Sequence, residues 1–184
     1  MRTKHSLLLI LTLLASGVVA SAQAVQSVYT TLDWKKCKTL EESDDRRLTE
    51  CPGVAGYKLH VESLDAYEKL TVVKPDGSKH KLYIEQISGG KFHTLGPRAE
   101  WRVRREKGRL VPIALIVRVT VSEIVGGDPG HREVPYLSVA KITPEKICSL
   151  EPMLAGRNSN IAARRLADNS ADKPCRTVYD YDTP

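Results

Sequence analysis

Alternation of apolar and polar residues governs most of the chain beyond residue 56. Residues 57–63, 69–74 and 80–85 repeat with the period of two that buries one face of a strand. Pro75-Asp76-Gly77 joins the second and third runs. Proline presets the turn and glycine takes the left-handed position after it, so a three-residue hairpin loop is expected. That loop sets Leu70 opposite Leu82 and Val72 opposite His80, with the apolar side chains on one face.

A second hairpin is predicted over residues 100–122. In its return strand Ile113, Leu115, Val117, Val119 and Val121 share a parity, and a loop at Lys107-Gly108-Arg109 pairs Trp101 with Leu115 and Val103 with Ile113. Another strand, residues 135–143, follows the Gly126-Gly127-Asp128-Pro129-Gly130 loop. One short helix is expected at residues 160–168, its apolar arc made of Ile161, Ala162 and Leu166. The polar tail, residues 179–184, is expected to fray.

The amino-terminal pattern is different. Arg2 and Lys4 precede an uncharged, leucine-dominated stretch at residues 6–20, and Ala20-Ser21-Ala22-Gln23-Ala24 offers small-x-small cleavage sites at Ala22 and Ala24. This is the three-part layout of a secretory leader, here residues 1–24. The apolar stretch falls short of the roughly 20 residues that span a bilayer. The mature chain is therefore expected to be periplasmic or secreted, as a single β-rich domain over residues 25–178. In an oxidising compartment Cys37, Cys51, Cys148 and Cys175 read as two disulfides. Proximity in sequence favours Cys37–Cys51 with Cys148–Cys175. The rival pairing, Cys37–Cys175 with Cys51–Cys148, would staple the two ends together. The fold class expected is mainly β: one antiparallel sheet, sandwich-like or barrel-like, with a short C-terminal helix and two disulfides.

Several motifs then line up. Tyr29-Thr30-Thr31-Leu32-Asp33 precedes Cys37, and Cys51-Pro52-Gly53 precedes Gly56-Tyr57. Glu100-Trp101-Arg102 is followed by Pro112-x-Ala114-x-Ile116-x-Arg118, then by Cys148, a short helix and Cys175. In this order the chain resembles a group of small exported, periplasmic proteobacterial proteins over nearly all of its mature length. The resemblance implies a secreted β-rich domain with two disulfides and supplies no catalytic residues. The segment 38–50 is more highly charged than the resemblance leads one to expect.

Chemical motifs are sparse. His60, His80, His93 and His131 form neither H-x-H nor H-E-x-x-H, and no cysteine pair has C-x-x-C spacing, so no metal or cofactor is expected. His80 reads as a packing residue at a strand edge, and His93 and His131 as loop residues beside glycines. There is no G-x-S-x-G elbow, and Gly89-Gly90-Lys91 reads as a turn rather than a phosphate loop. Glu41, Glu42, Asp44 and Asp45 lack EF-hand spacing and are followed by Arg46-Arg47, the pattern of a solvated loop.

Charge is more informative. Residues 91–118 hold eight basic and two acidic residues, so a net +6 is concentrated on one predicted hairpin. Parity sends Arg102, Arg104 and Arg118 to the face opposite Trp101, with Lys107 and Arg109 at the turn. Such a face attracts anionic partners: an envelope polymer, an anionic lipid or an acidic protein surface. The plainer alternative is that the arginines keep an outward face soluble, with Glu100 pairing Arg102 or Arg118. Nucleic acid is disfavoured by the expected compartment and by the lack of aromatic residues interleaved with the arginines on that face. A noncatalytic binding module is therefore preferred over a small hydrolase working through dispersed carboxylates such as Glu62, Glu85 and Glu100.

Overall fold

A computed structural model describes residues 24–65, 67–126 and 130–177. The expected leader up to residue 23, the expected tail and the middle of the 126–130 loop lie outside the described residues. The chain opens with β1 (Gln26–Thr31), a single 3-10 turn (Trp34–Lys36), β2 (Lys38–Glu42) and β3 (Arg46–Pro52). It continues through β4 (Lys58–Leu64), β5 (Tyr67–Val73), β6 (Lys79–Leu82) and a helical turn, α1 (Glu85–Ser88). Two long strands, β7 (His93–Glu106) and β8 (Arg109–Ile124), precede β9 (His131–Ile142), β10 (Ile147–Ser149), β11 (Met153–Leu154) and the helix α2 (Ser159–Asp168).

All of these strands join one sheet, in the order β10-β9-β8-β7-β5-β4-β3-β2, with β1 on β7, β11 on β9 and β6 on β5. Every pairing is antiparallel except the contact of β5 with β7 at Tyr67 and His93. At that junction the Glu68 carboxylate accepts the Leu95 N–H at 2.6 Å and His93 Nε2 lies 3.0 Å from the Glu68 carbonyl. His93 is thus a buried junction residue rather than the loop residue expected from Gly89 and Gly90. The sheet curls until β10 lies beside β6, which makes it barrel-like.

The inside of the curl holds the main core, built around Trp101, Leu59, Leu70, Leu82, Leu115 and Val119. Trp101 is fully buried, and its indole N–H donates to Thr30 Oγ1 at 2.9 Å. Gly53 makes room for it: a Cβ there would stand 2.4 Å from the Tyr57 carbonyl oxygen and 3.0 Å from the indole ring. The outside of β8 and β9 carries a second cluster, in which Ala114, Ile116, Leu137 and Val139 meet Ala163 and Ala167 of α2. The middle of β8 is therefore buried on both faces, which its near-continuous apolar run from Ile113 to Val117 permits.

The first hairpin has the expected register, with Leu70 against Leu82 and Val72 against His80. Its second strand is shorter than expected. It stops at Leu82, and the chain turns into α1, which Gly89 ends in the left-handed conformation. In the second hairpin Trp101 does face Leu115, but Val103 faces Pro112 rather than Ile113. Two features cause this. Lys107 and Gly108, both at positive φ, close a two-residue turn that pairs Glu106 with Arg109. Pro112 has no N–H for the ladder, and the register shifts by one residue beside it, leaving Ile113 as the extra residue.

The two disulfides are Cys37–Cys51 and Cys148–Cys175. The first encloses not a loose loop but the β2–β3 hairpin, where Arg46 pairs with Glu41 and Arg47 with Glu42, both at 2.6 Å. The second ties the segment after α2 to β10, and there the buried Lys141 ammonium donates to the carbonyls of Ala171 and Lys173. Two disulfides fit an extracellular or periplasmic protein. No helix among the described residues is long and apolar enough to cross a membrane.

Two stability measurements follow. Trp101→Ala is expected to destabilise the fold by about 3–5 kcal/mol in urea denaturation, as for other large aromatic truncations in cores. Breaking Cys37–Cys51 by a double Cys→Ser change should cost about 3 kcal/mol for a loop of this size. Losses under about 0.5 kcal/mol in either case would contradict the packing described.

Candidate functional site

The outer face of the β7–β8 hairpin is where sequence parity sends the arginines, and α2 packs against part of it. Arg102 does project to that face but is 7% exposed, not an outward surface residue. Its guanidinium makes a two-pronged pair with Asp168, at 2.7 and 2.8 Å, and also donates to Ser27 Oγ. Two residues earlier, Glu100 receives Arg164 Nε at 2.6 Å and Ser27 Oγ at 2.5 Å. Glu100 therefore pairs chiefly with Arg164 rather than with Arg118, while Arg102 stands 3.9 Å away.

The spacing explains why this works. Two residues along a strand advance about 6.6 Å, and four along a helix about 6 Å. Glu100 and Arg102 on β7 thus match Arg164 and Asp168 on α2, each charge meeting its opposite. The helix face that packs is consequently Ala163 and Ala167, with Leu166 partly buried. Ile161 and Ala162, expected in the apolar arc, are exposed. Small alanines let the helix lie close enough for the ion pairs to form.

Beyond the first turn of α2 the sheet face opens into a cleft of about 250 Å³. Ile116 and Leu137 contribute apolar surface, and Tyr29, Arg98, Glu100, Arg118, Asn160 and Arg164 contribute polar groups. A bulge in β7 places Arg98: the ladder to β8 breaks between Leu95 and Ala99, and Gly96-Pro97-Arg98 swings out. Gly96 permits this, because a Cβ there would stand only 3.0 Å from Arg118 Cβ. The Pro97 carbonyl accepts the Leu32 N–H at 2.9 Å and holds the bulge to the end of β1. Arg98 lies over the half-exposed Tyr29 ring, 5.8 Å from its centroid, and the Tyr29 hydroxyl accepts from Arg164 at 2.9 Å.

The electrostatics of the cleft are asymmetric. Burial pushes the Glu100 carboxyl up, but hydrogen bonds from Arg164 and Ser27, with the Arg164 charge, hold it below the ordinary carboxylate range. The same contact with Glu100 raises Arg164, which stays cationic. Among the described residues neither Arg98 nor Arg118 has a carboxylate within ion-pair distance. Two unneutralised guanidinium groups therefore face a cleft whose one carboxylate is already paired.

Of the five arginines and lysines singled out from sequence, only Arg118 lines this cleft. Arg104 is exposed and pairs with Glu106 at 2.6 Å, while Lys107 and Arg109 sit at the far turn. Sequence reasoning missed Tyr29, Asn160 and Arg164 and used Arg98 only as part of a charge total. A signal for Arg164 was present: Glu-x-Arg on a strand answered by Arg-x-x-x-Asp on a helix. The carboxylates considered for hydrolysis stand on different elements. Glu62 pairs with Arg46 on the β3–β4 ladder, Glu85 with Lys81 at α1, and Glu100 with Arg164.

Among the described residues no three His, Cys, Asp or Glu side chains lie close enough to hold a metal ion. His60 is 3.4 Å from Glu50, His80 borders Ser78, and His131 is exposed on β9. Compared with protein-family models, with curated proteins and with solved structures, the chain finds no match.

The ion-pair register generates two predictions. Asp168→Asn leaves the buried Arg102 guanidinium with only Glu100, 3.9 Å away and already paired with Arg164, as a counter-charge. It should cost about 2–3 kcal/mol, less than the roughly 3–5 of a fully buried pair because Asp168 reaches solvent. Glu100 has a depressed folded pKa, so its contribution is complete above the unfolded value of about 4.3 and is lost as pH falls through the folded one. Urea midpoints should show Glu100→Gln less stable than the parent at pH 7, with the gap narrowing below about pH 4. A gap independent of pH would contradict this.

Proposed function

We propose that the protein is an exported, noncatalytic binding module of the periplasm or cell exterior, and that it holds an anionic group in the Arg98–Arg118 cleft. The observation carrying this reading is the pair of guanidinium groups, open to solvent, with no carboxylate partner among the described residues. Guanidinium forks suit oxyanions, because two parallel N–H donors match two oxygens. The anion belongs to an envelope polymer, a lipid headgroup or an acidic protein surface. The leader-like start and the two disulfides support export. Engagement of Glu62, Glu85 and Glu100 by separate cations speaks against a pair of cooperating carboxylates.

The site differs from a general basic hairpin face. Arg102 serves the ion-pair register, so reversing its charge would break the fold before it tested binding. The informative variant is Arg98→Glu with Arg118→Glu, since both side chains are exposed. The parent should be retained on immobilised oligogalacturonate, polyphosphate or phosphatidylglycerol vesicles, and retention should weaken with salt because exposed charges are screened over about 8–10 Å. The double variant, with a melting curve like the parent's, should flow through. A folded double variant retained as tightly as the parent, or a parent retained on none of the three, would overturn the proposal.

A further inference from the structure

The cleft is more than a patch of positive charge. Glu100 lines it with its charge already matched by Arg164, and a ligand made only of oxyanions would be drawn to Arg98 and Arg118 but would have no hydroxyl to donate to that carboxylate. A ligand with hydroxyl groups next to its acid would turn the same carboxylate into a hydrogen-bond acceptor. Asn160, exposed on the first turn of α2, adds an amide that can both donate and accept. Tyr29 presents a half-exposed ring whose hydroxyl is already fixed by Arg164. The volume, about 250 Å³, is below the roughly 300–1,000 Å³ of clefts for drug-sized ligands, which limits the occupant to one sugar-sized unit.

We infer that the cleft recognises an acidic sugar residue, its carboxylate on Arg98 and Arg118 and its ring hydroxyls on Asn160 and Glu100. This rests on the anion-binding reading above and names the class of anion. A bare phosphate satisfies the two arginines and can accept from the Asn160 amide, but it has no hydroxyl network to engage Asn160 and Glu100 together, so it binds less well despite its greater charge.

Calorimetric titration at physiological salt tests this with three soluble probes: trigalacturonate, inorganic triphosphate and neutral maltotriose. Trigalacturonate should bind, triphosphate at least tenfold more weakly, and maltotriose not measurably. Asn160→Ala, at an exposed position, should lower trigalacturonate affinity about five- to tenfold and triphosphate affinity by a clearly smaller factor. Arg98→Glu with Arg118→Glu should abolish both. Triphosphate binding as tightly as trigalacturonate, or an equal loss of both in Asn160→Ala, would overturn the acidic-sugar assignment. In that event, sensitivity of triphosphate to the double reversal would leave the broader anion-binding reading standing. Failure of every probe to bind would overturn the acidic-sugar assignment, and failure on phosphatidylglycerol vesicles as well would remove both.

Discussion

Glu100 and Arg102 place two opposite charges on a strand face that a helix covers, and neither charge could remain there alone. Leaving a buried carboxylate or guanidinium unpaired costs several kcal/mol, whereas matched pairs with their hydrogen bonds satisfied are tolerated. That constraint fixes α2 in both position and phase. Arg164 must reach Glu100 and Asp168 must reach Arg102, so Ala163 and Ala167 become the packed face and Ile161 turns outward. Ser27 accepts from Arg102 and donates to Glu100, which draws β1 into the same arrangement.

The cleft is a by-product of where that register ends. Past Asn160 there is no helix to cover the sheet, and the β7 bulge at Gly96-Pro97-Arg98 turns the strand edge outward at the same level. Arg98 and Arg118 therefore stand beside a paired Glu100–Arg164 unit without being absorbed into it. On the opposite face of the same strands Trp101 fills the curl, so one stretch of β7 supports both the core and the site. The junction at Glu68 and His93 has a comparable role, since β7 touches β5 only there and takes β1 as its neighbour further along.

Much of this was legible in the sequence where local rules decide the outcome. The Pro75-Asp76-Gly77 turn set the register of Leu70 and Leu82, and proximity favoured both disulfide pairs. Pairing of Trp101 with Leu115 followed from parity, and its partial failure at Val103 traces to the missing N–H of Pro112. What was not legible depends on contacts distant in sequence. Arg102 looked solvent-facing because alternation shows which face a residue takes, not what later covers that face. His93 looked like a loop residue because its partner, the Glu68 carbonyl, comes from a strand that only the folded sheet brings near. Arg164 belongs to the cleft only through a helix packed 64 residues away from Glu100.

The charge-matched register of β7 and α2 is most directly tested by a double-mutant cycle on Glu100 and Arg164. Urea denaturation of the parent, Glu100→Gln, Arg164→Ala and the double variant gives the coupling free energy of the pair. A direct, partly buried pair should show a coupling of about 1–3 kcal/mol, the double variant losing less than the two single losses combined. Losses that add to within about 0.5 kcal/mol would mean that the two residues act independently, and that the helix is held in place by its alanine face alone.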